Sequence, residues 1–285
     1  MKVLIDTDCG VDDSLALALM ARAPDVEVVA VTSTFGNTAP DQAAANASLI
    51  LAAAGHSETP VFSGAISPVG FEPRLLHGVD GLGGYGASLT GSVAAESGAA
   101  EGAIREFCES SSPEDVLLCL GPLTNAARAR PTVVRPRVVA VGGAGLRGEV
   151  DPGRDPNVGA DVEAARWVAD HASVDWVTIN SGSDVWWTES EFPASPLGGL
   201  LRRVHEDYGW ACADRAGRRD WSPSGYDSLA AIAALRPDRF PWRRVRMVWE
   251  GGRLWGAGGG EHRMLAAKDA SYFRALMSEF TRGMQ

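Results

Sequence analysis

The chain opens Met1-Lys2-Val3-Leu4-Ile5-Asp6-Thr7-Asp8-Cys9-Gly10-Val11-Asp12-Asp13. An apolar run ending at an aspartate predicts a short buried strand over Val3–Asp6, and the residues from Asp12 to Arg22 predict a helix. The acids between them fall at the tip of the first strand, where open α/β sheets take their ligands. The same alternation continues, with strands expected at Val26–Thr34, Asp115–Leu120, Val138–Gly142 and Val174–Asn180. Helices are expected at Ala39–Ala54, Ala94–Glu109, Pro122–Ala129 and Asp161–Asp170. Strands that are apolar on both faces need helices on both faces, so the fold class is α/β with an open, mainly parallel central sheet. Arg244–Glu250 and Gly260–Leu265 read as a late hairpin, followed by a terminal helix from Asp269. Its 285 residues suit one large domain, 1–285, because nothing reads as a linker.

Composition narrows the function. Lys+Arg 26 against Asp+Glu 36 gives a net charge of −10, the wrong sign for a nucleic-acid or anionic-membrane partner. Cys9, Cys108, Cys119 and Cys212 form no CxxC pair, so neither a disulfide framework nor a zinc cluster is indicated. With no secretory leader at the start and no apolar run near the ~20 residues of a membrane span, a cytoplasmic location is expected.

Asp12 and Asp13 have an ordinary use as first-turn acids of a helix. That does not cover Asp8. Carboxylates packed within a few ångströms repel unless they hold protons or gather a cation. Oxygen donors with no His or Cys beside them suit a hard ion, Ca²⁺ or Mg²⁺.

Asp6–Asp13 resembles the DTDPGxDD fingerprint of the inosine-uridine-preferring nucleoside hydrolases, with Cys9 at the proline position. Further stretches resemble that family in order: Gly36-Asn37, His77-Gly78-x-Asp80-Gly81-Leu82-Gly83 and Leu120-Gly121-Pro122-Leu123-Thr124-Asn125. After these come Gly142-Gly143-Ala144, Asn157-x-x-x-Asp161 and Asp227-Ser228-Leu229-Ala230. The resemblance implies hydrolysis of an N-ribosidic bond, releasing base and ribose, by a homodimer or homotetramer acting on a small nucleoside-like substrate. It implies Ca²⁺ held by Asp8, Asp13, Asp227 and the main-chain carbonyl of Thr124, with Asp8 as general base. Asp12, Asn37, His77, Asn157 and Asp227 would hold the sugar, Asn37 also serving catalysis. Trp186, Trp187, Trp221 and Tyr226 are candidates for the wall behind the base.

Three positions depart from the family pattern. Tyr226 stands where many members have histidine, and a phenol with a reference pKa of about 10 is a poor acid at neutral pH. Glu149 and Asp155 fall at the two positions expected to hold the 5′ end of the sugar. Two carboxylates there would repel a 5′-phosphate, although Arg147 and Arg154 lie close enough in sequence to offset them. Cys9 reads as a small buried residue without a chemical role. Two other functions fit part of the pattern. A nucleoside-binding protein without turnover would keep the fold, and a haloacid-dehalogenase-type phosphohydrolase shares the strand ending in DxD. The latter wants Thr or Val where Gly10 stands and a downstream lysine, for which Lys268 comes too late.

Overall fold

The computed structural model describes residues 1–68, 71–73, 75–86, 99–266 and 270–282. Residues 94–98 of the helix expected at Ala94–Glu109, the expected helix start at Asp269, Lys268 and parts of the glycine-rich stretch 64–91 lie outside the described residues.

The strands are β1 (Lys2–Thr7), β2 (Glu27–Ser33), β3 (Val61–Ser63), β4 (Val116–Cys119), β5 (Arg137–Val141), β6 (Gly145–Leu146), β7 (Val174–Val177), β8 (Trp242–Glu250), β9 (Arg253–Gly258) and β10 (His262–Leu265). The helices are α1 (Val11–Arg22), α2 (Pro40–Ala53), α3 (Ala100–Ser110), α4 (Thr124–Ala129), α5 (Pro156–Ala160), α6 (Val162–His171), α7 (Ile179–Gly182), α8 (Pro196–Val204), α9 (Glu206–Arg215), α10 (Tyr226–Leu235) and α11 (Ala270–Arg282). None of them is long and apolar enough to cross a membrane, among the described residues.

All ten strands join one sheet in the order β3-β2-β1-β4-β5-β7-β10-β8-β9-β6. From β3 across to β10 every pairing is parallel, while β8 pairs antiparallel with both β10 and β9. The chain leaves β1 toward β2 and β3, then returns to β4 on the other side. That reversal opens a crevice at the carboxyl ends of β1 and β4.

Alternate strand residues feed separate cores. Val3 and Ile5 of β1, with Val116 and Leu118 of β4, pack under α1, α2 and α10. Leu4, Leu117 and Cys119 face α3, α4 and α6 on the opposite side. This two-sided burial is what the unbroken apolar strands required. Helix α1 is buried from Val11 to Ala21 and packs against α10, so both start at the same end of the sheet.

Two expectations change in detail. The last residues of the strand expected at Val174–Asn180 form α7 instead, because the Thr178 hydroxyl caps it by accepting from Ser181 N at 3.1 Å. The two late segments do pair, but Arg253–Gly258 intervenes as a third strand on the far side of β8.

Candidate active site

The turn from β1 to α1 is tied to the carboxylates it carries. Asp13 receives the Thr7 hydroxyl at 2.5 Å on Oδ1 and Gly10 N at 2.8 Å on Oδ2. Asp8 Oδ2 accepts Asn37 N at 2.7 Å, and Asn37 Nδ2 reaches Asp13 Oδ2 at 3.2 Å. Gly36 makes this approach possible, since a Cβ there would lie 1.9 Å from Asp8 Oδ2. Asp12 and Asp13 occupy the first turn of α1, and Asp227 the first turn of α10. Two helix N-termini therefore aim partial positive charge at one acidic centre.

Asp12, Asp13 and Asp227 each offer an oxygen within 4.8 Å of the others'. Asp8 stands beside this triplet, and all four acids are buried. Burial first, then the Asp13 and Asp12 carboxylates, push Asp8 well above the usual carboxylate range. Asp227 is raised the same way, by burial and then by Asp12, Asp13 and Asp8. Asp13 is raised by burial and by Asp12, while Asp12 is raised by burial against a hydrogen bond from Tyr208. Without a counter-ion such a cluster holds protons in place of charge. Among the described residues, buried Asp12 Oδ1 accepts no hydrogen bond. Converging carboxylates and one orphaned buried oxygen fit a hard divalent cation.

Three of the acids, Asp8, Asp12 and Asp227, floor a cavity of about 650 Å³, a size that suits a small organic ligand. Asp8, Asp12, Asn37, His77, Asn157, Tyr226 and Asp227 all line it. His77 Nδ1 accepts Val11 N at 3.1 Å and lies 3.6 Å from Asp12 Oδ1. Asn157 Nδ2 donates to the carbonyls of Leu120 at 2.6 Å and Val141 at 3.1 Å, clamping the ends of β4 and β5. The Tyr226 ring packs against Gly182, where a Cβ would fall 2.3 Å from it. Burial drives its phenol up to about 12.

Several expected site residues are elsewhere. The Thr124 hydroxyl donates to Asp161 at 2.8 Å, and Thr124 lines a separate cavity with Asp161 and Trp167. In the same turn it is Leu120 that borders the acidic cavity. Asp155 caps α5: its carboxylate accepts Gly143 N at 2.6 Å, Asn157 N at 3.0 Å and Val158 N at 3.1 Å. Glu149 accepts Leu146 N at 3.0 Å and Asn180 Nδ2 at 3.3 Å. Neither carboxylate borders the cavity. Arg147 pairs with Glu250 at 2.9 Å, whereas Arg154 does line the cavity. Trp187 is wholly buried and donates to Ser228, and Trp221 bonds the Glu206 carbonyl, so Trp186 and Tyr226 are the two candidate aromatics at the cavity.

Sequence reasoning missed Tyr208, whose hydroxyl donates to Asp12 Oδ2 at 3.0 Å across 196 positions of chain. It sits in the first turn of an ordinary amphipathic helix, and no local pattern marks it.

A family model described as inosine-uridine preferring nucleoside hydrolase matches residues 3–274. The chain belongs to this family. It is 39% identical over 272 residues to a probable uridine nucleosidase 1 of Oryza sativa subsp. japonica, covering 88% of this chain and 82% of that one. In fold it is similar to the plant nucleoside hydrolase PpNRh1, at a TM-score of 0.86 and 23% identity over 98% of each chain. A purine-preferring ribonucleoside hydrolase from Gardnerella vaginalis matches equally well, at 0.86 and 23% over 100% of this chain and 99% of the other.

Proposed function

We propose that the chain hydrolyses the N-glycosidic bond of a ribonucleoside, uridine foremost, and does so as one domain over residues 1–285. The reading is carried by one observation: Asp12, Asp13 and Asp227 converge, and Asp12 and Asp227 together with Asp8 line a cavity shared with Trp186 and Tyr226. The choice of uridine rests on the name of the relative from Oryza sativa.

Asp8, Asp13 and Asp227 would hold Ca²⁺, with the main-chain carbonyl of Leu120 taking the part expected of Thr124. The ion's contribution when bound is to lower the pKa of a water. Asp8 would accept the proton of the attacking water as the water oxygen bonds the anomeric carbon. Asn37 positions both Asp8 and Asp13 through the bonds described above. Asp12, steadied by Tyr208, and His77 face the sugar hydroxyls, and the acidic floor stabilises the positive charge of an oxocarbenium-like transition state. Tyr226 stays protonated at neutral pH, so it donates a hydrogen bond to the base without surrendering a proton. We further propose a cytoplasmic homodimer or homotetramer.

Ribose release from uridine, cytidine, inosine and adenosine tests the reading, with uridine expected to turn over fastest. Nucleoside binding without ribose release from any of the four would make the protein a binder and discard the enzymatic proposal.

A further inference from the structure

The cavity changes sign from floor to mouth. Tyr208, Cys212 and Arg215 stand at i, i+4 and i+7 of α9, and all three line it, so this helix forms one wall lengthwise. Tyr208 touches Asp12 at the floor. At 1.5 Å of rise per residue, Arg215 lies about 10 Å farther along the axis. Just beyond it, Arg218 also lines the cavity. Its Nε donates to Ser222 Oγ at 2.8 Å and its Nη2 to Asp220 at 2.8 Å, while its guanidinium carbon sits 5.6 Å from the centre of the Trp186 ring. Among the described residues, neither arginine is ion-paired with the floor acids. Asp184 also lines the cavity, and Asp220 offsets part of the Arg218 charge.

Breaking an N-glycosidic bond separates charge in the same sense, positive on the ribose and negative on the base. Tyr226 stands where many members of the family have histidine, and its buried phenol keeps its proton at neutral pH. We infer that Arg218, backed by Arg215, takes over base departure electrostatically: the base leaves as an anion against the guanidinium, with no proton delivered to it by a side chain. This rests on the nucleoside reading above. The bond between C1′ and the base nitrogen breaks with its electron pair passing to the nitrogen. The water oxygen bonds C1′ and its proton goes to Asp8. After release the base anion takes a proton from solvent, and Asp8 returns its own.

The test measures kcat/KM for uridine, 5-bromouridine and 5-fluorouridine, whose bases are graded in acidity, in the wild type and in Arg218→Gln, Arg218→Lys and Arg215→Gln. Arg218→Gln is expected to lose about tenfold on uridine and progressively less on the better leaving groups. That is below the roughly 10²–10³ of a sequestered donor because this side chain is 32% exposed. Arg218→Lys restores most of the loss. Arg215→Gln, on an exposed helix end, gives a smaller change of the same slope and serves where Arg218→Gln fails to fold. Equal losses on all three substrates, leaving the dependence on base acidity as in the wild type, overturn the inference while the nucleoside reading stands. A wild type that releases no ribose from any of them overturns both.

Discussion

The floor of the cavity and the loop along its side, residues 145–157, were both rich in acids on paper, and the fold treats them oppositely. At the floor, Asp8, Asp12, Asp13 and Asp227 are carried by a strand end and two helix starts; Asp12, Asp13 and Asp227 converge, and Asp8, Asp12 and Asp227 face the cavity. In the loop, Asp155 and Glu149 spend their oxygens on main-chain N–H groups and Asn180, and they turn away. A carboxylate at a strand-to-helix junction has its direction fixed by regular elements. One in a glycine-rich loop can satisfy the loop's own unpaired amides first.

The contrast is sharpest if acids in the two regions answer differently to the same isosteric change. Asp227→Asn removes one floor carboxylate and is expected to cut kcat/KM on uridine by about 10²–10³-fold, read from ribose release. An effect below tenfold would detach Asp227 from the chemistry.

Asp6 lies beneath the floor. Burial pushes its carboxyl up to about 7, against hydrogen bonds from Asn125 at 2.8 Å and Thr32 at 2.7 Å. Since the folded-state pKa exceeds the unfolded value, stability from this group is full below about pH 4 and is lost as pH rises to 7. The loss amounts to up to about 4 kcal/mol, at 1.36 per unit. Asp6→Asn should flatten that slope in denaturant melts taken from pH 4 to 7 with chelator present. An unchanged slope would show that Asp6 is ionised when folded.

Cys9 adopts φ 31°, and its N–H donates to the Thr7 hydroxyl at 3.0 Å. Proline supplies neither that angle nor that donor. Cys9→Pro, which restores the family fingerprint, is therefore expected to destabilise the fold by about 1–3 kcal/mol. A melting temperature at or above the wild type's would mean that the turn relaxes to accept it. Smallest of all, Glu149→Gln should leave the ratio of uridine to uridine 5′-monophosphate turnover within about twofold, since the carboxylate does not face the cavity. A large shift in that ratio would bring Glu149 back to the 5′ end.

Much of this is legible in the sequence. The apolar run through Ile5 placed the acids at a strand tip, and the alternation of elements led to the parallel sheet that makes this tip a binding crevice. Asp161, the first residue of the helix expected at Asp161–Asp170, caps α6 by accepting Ala164 N at 3.0 Å. What stayed hidden depends on contacts remote in sequence. Tyr208 meets Asp12 because α9 runs along the cavity wall, and β9 is held between β8 and the short edge strand β6, which comes from a distant part of the chain. Thr124 opens α4 and lines the neighbouring cavity, while Leu120, four residues earlier in the same turn, borders the acidic one.

The central proposal is that the floor acids act through a divalent cation. Ribose release from uridine by metal-stripped protein, followed while Ca²⁺ is titrated back, tests it most directly. The account predicts negligible release in chelator and recovery that saturates with Ca²⁺; undiminished turnover in chelator would contradict it.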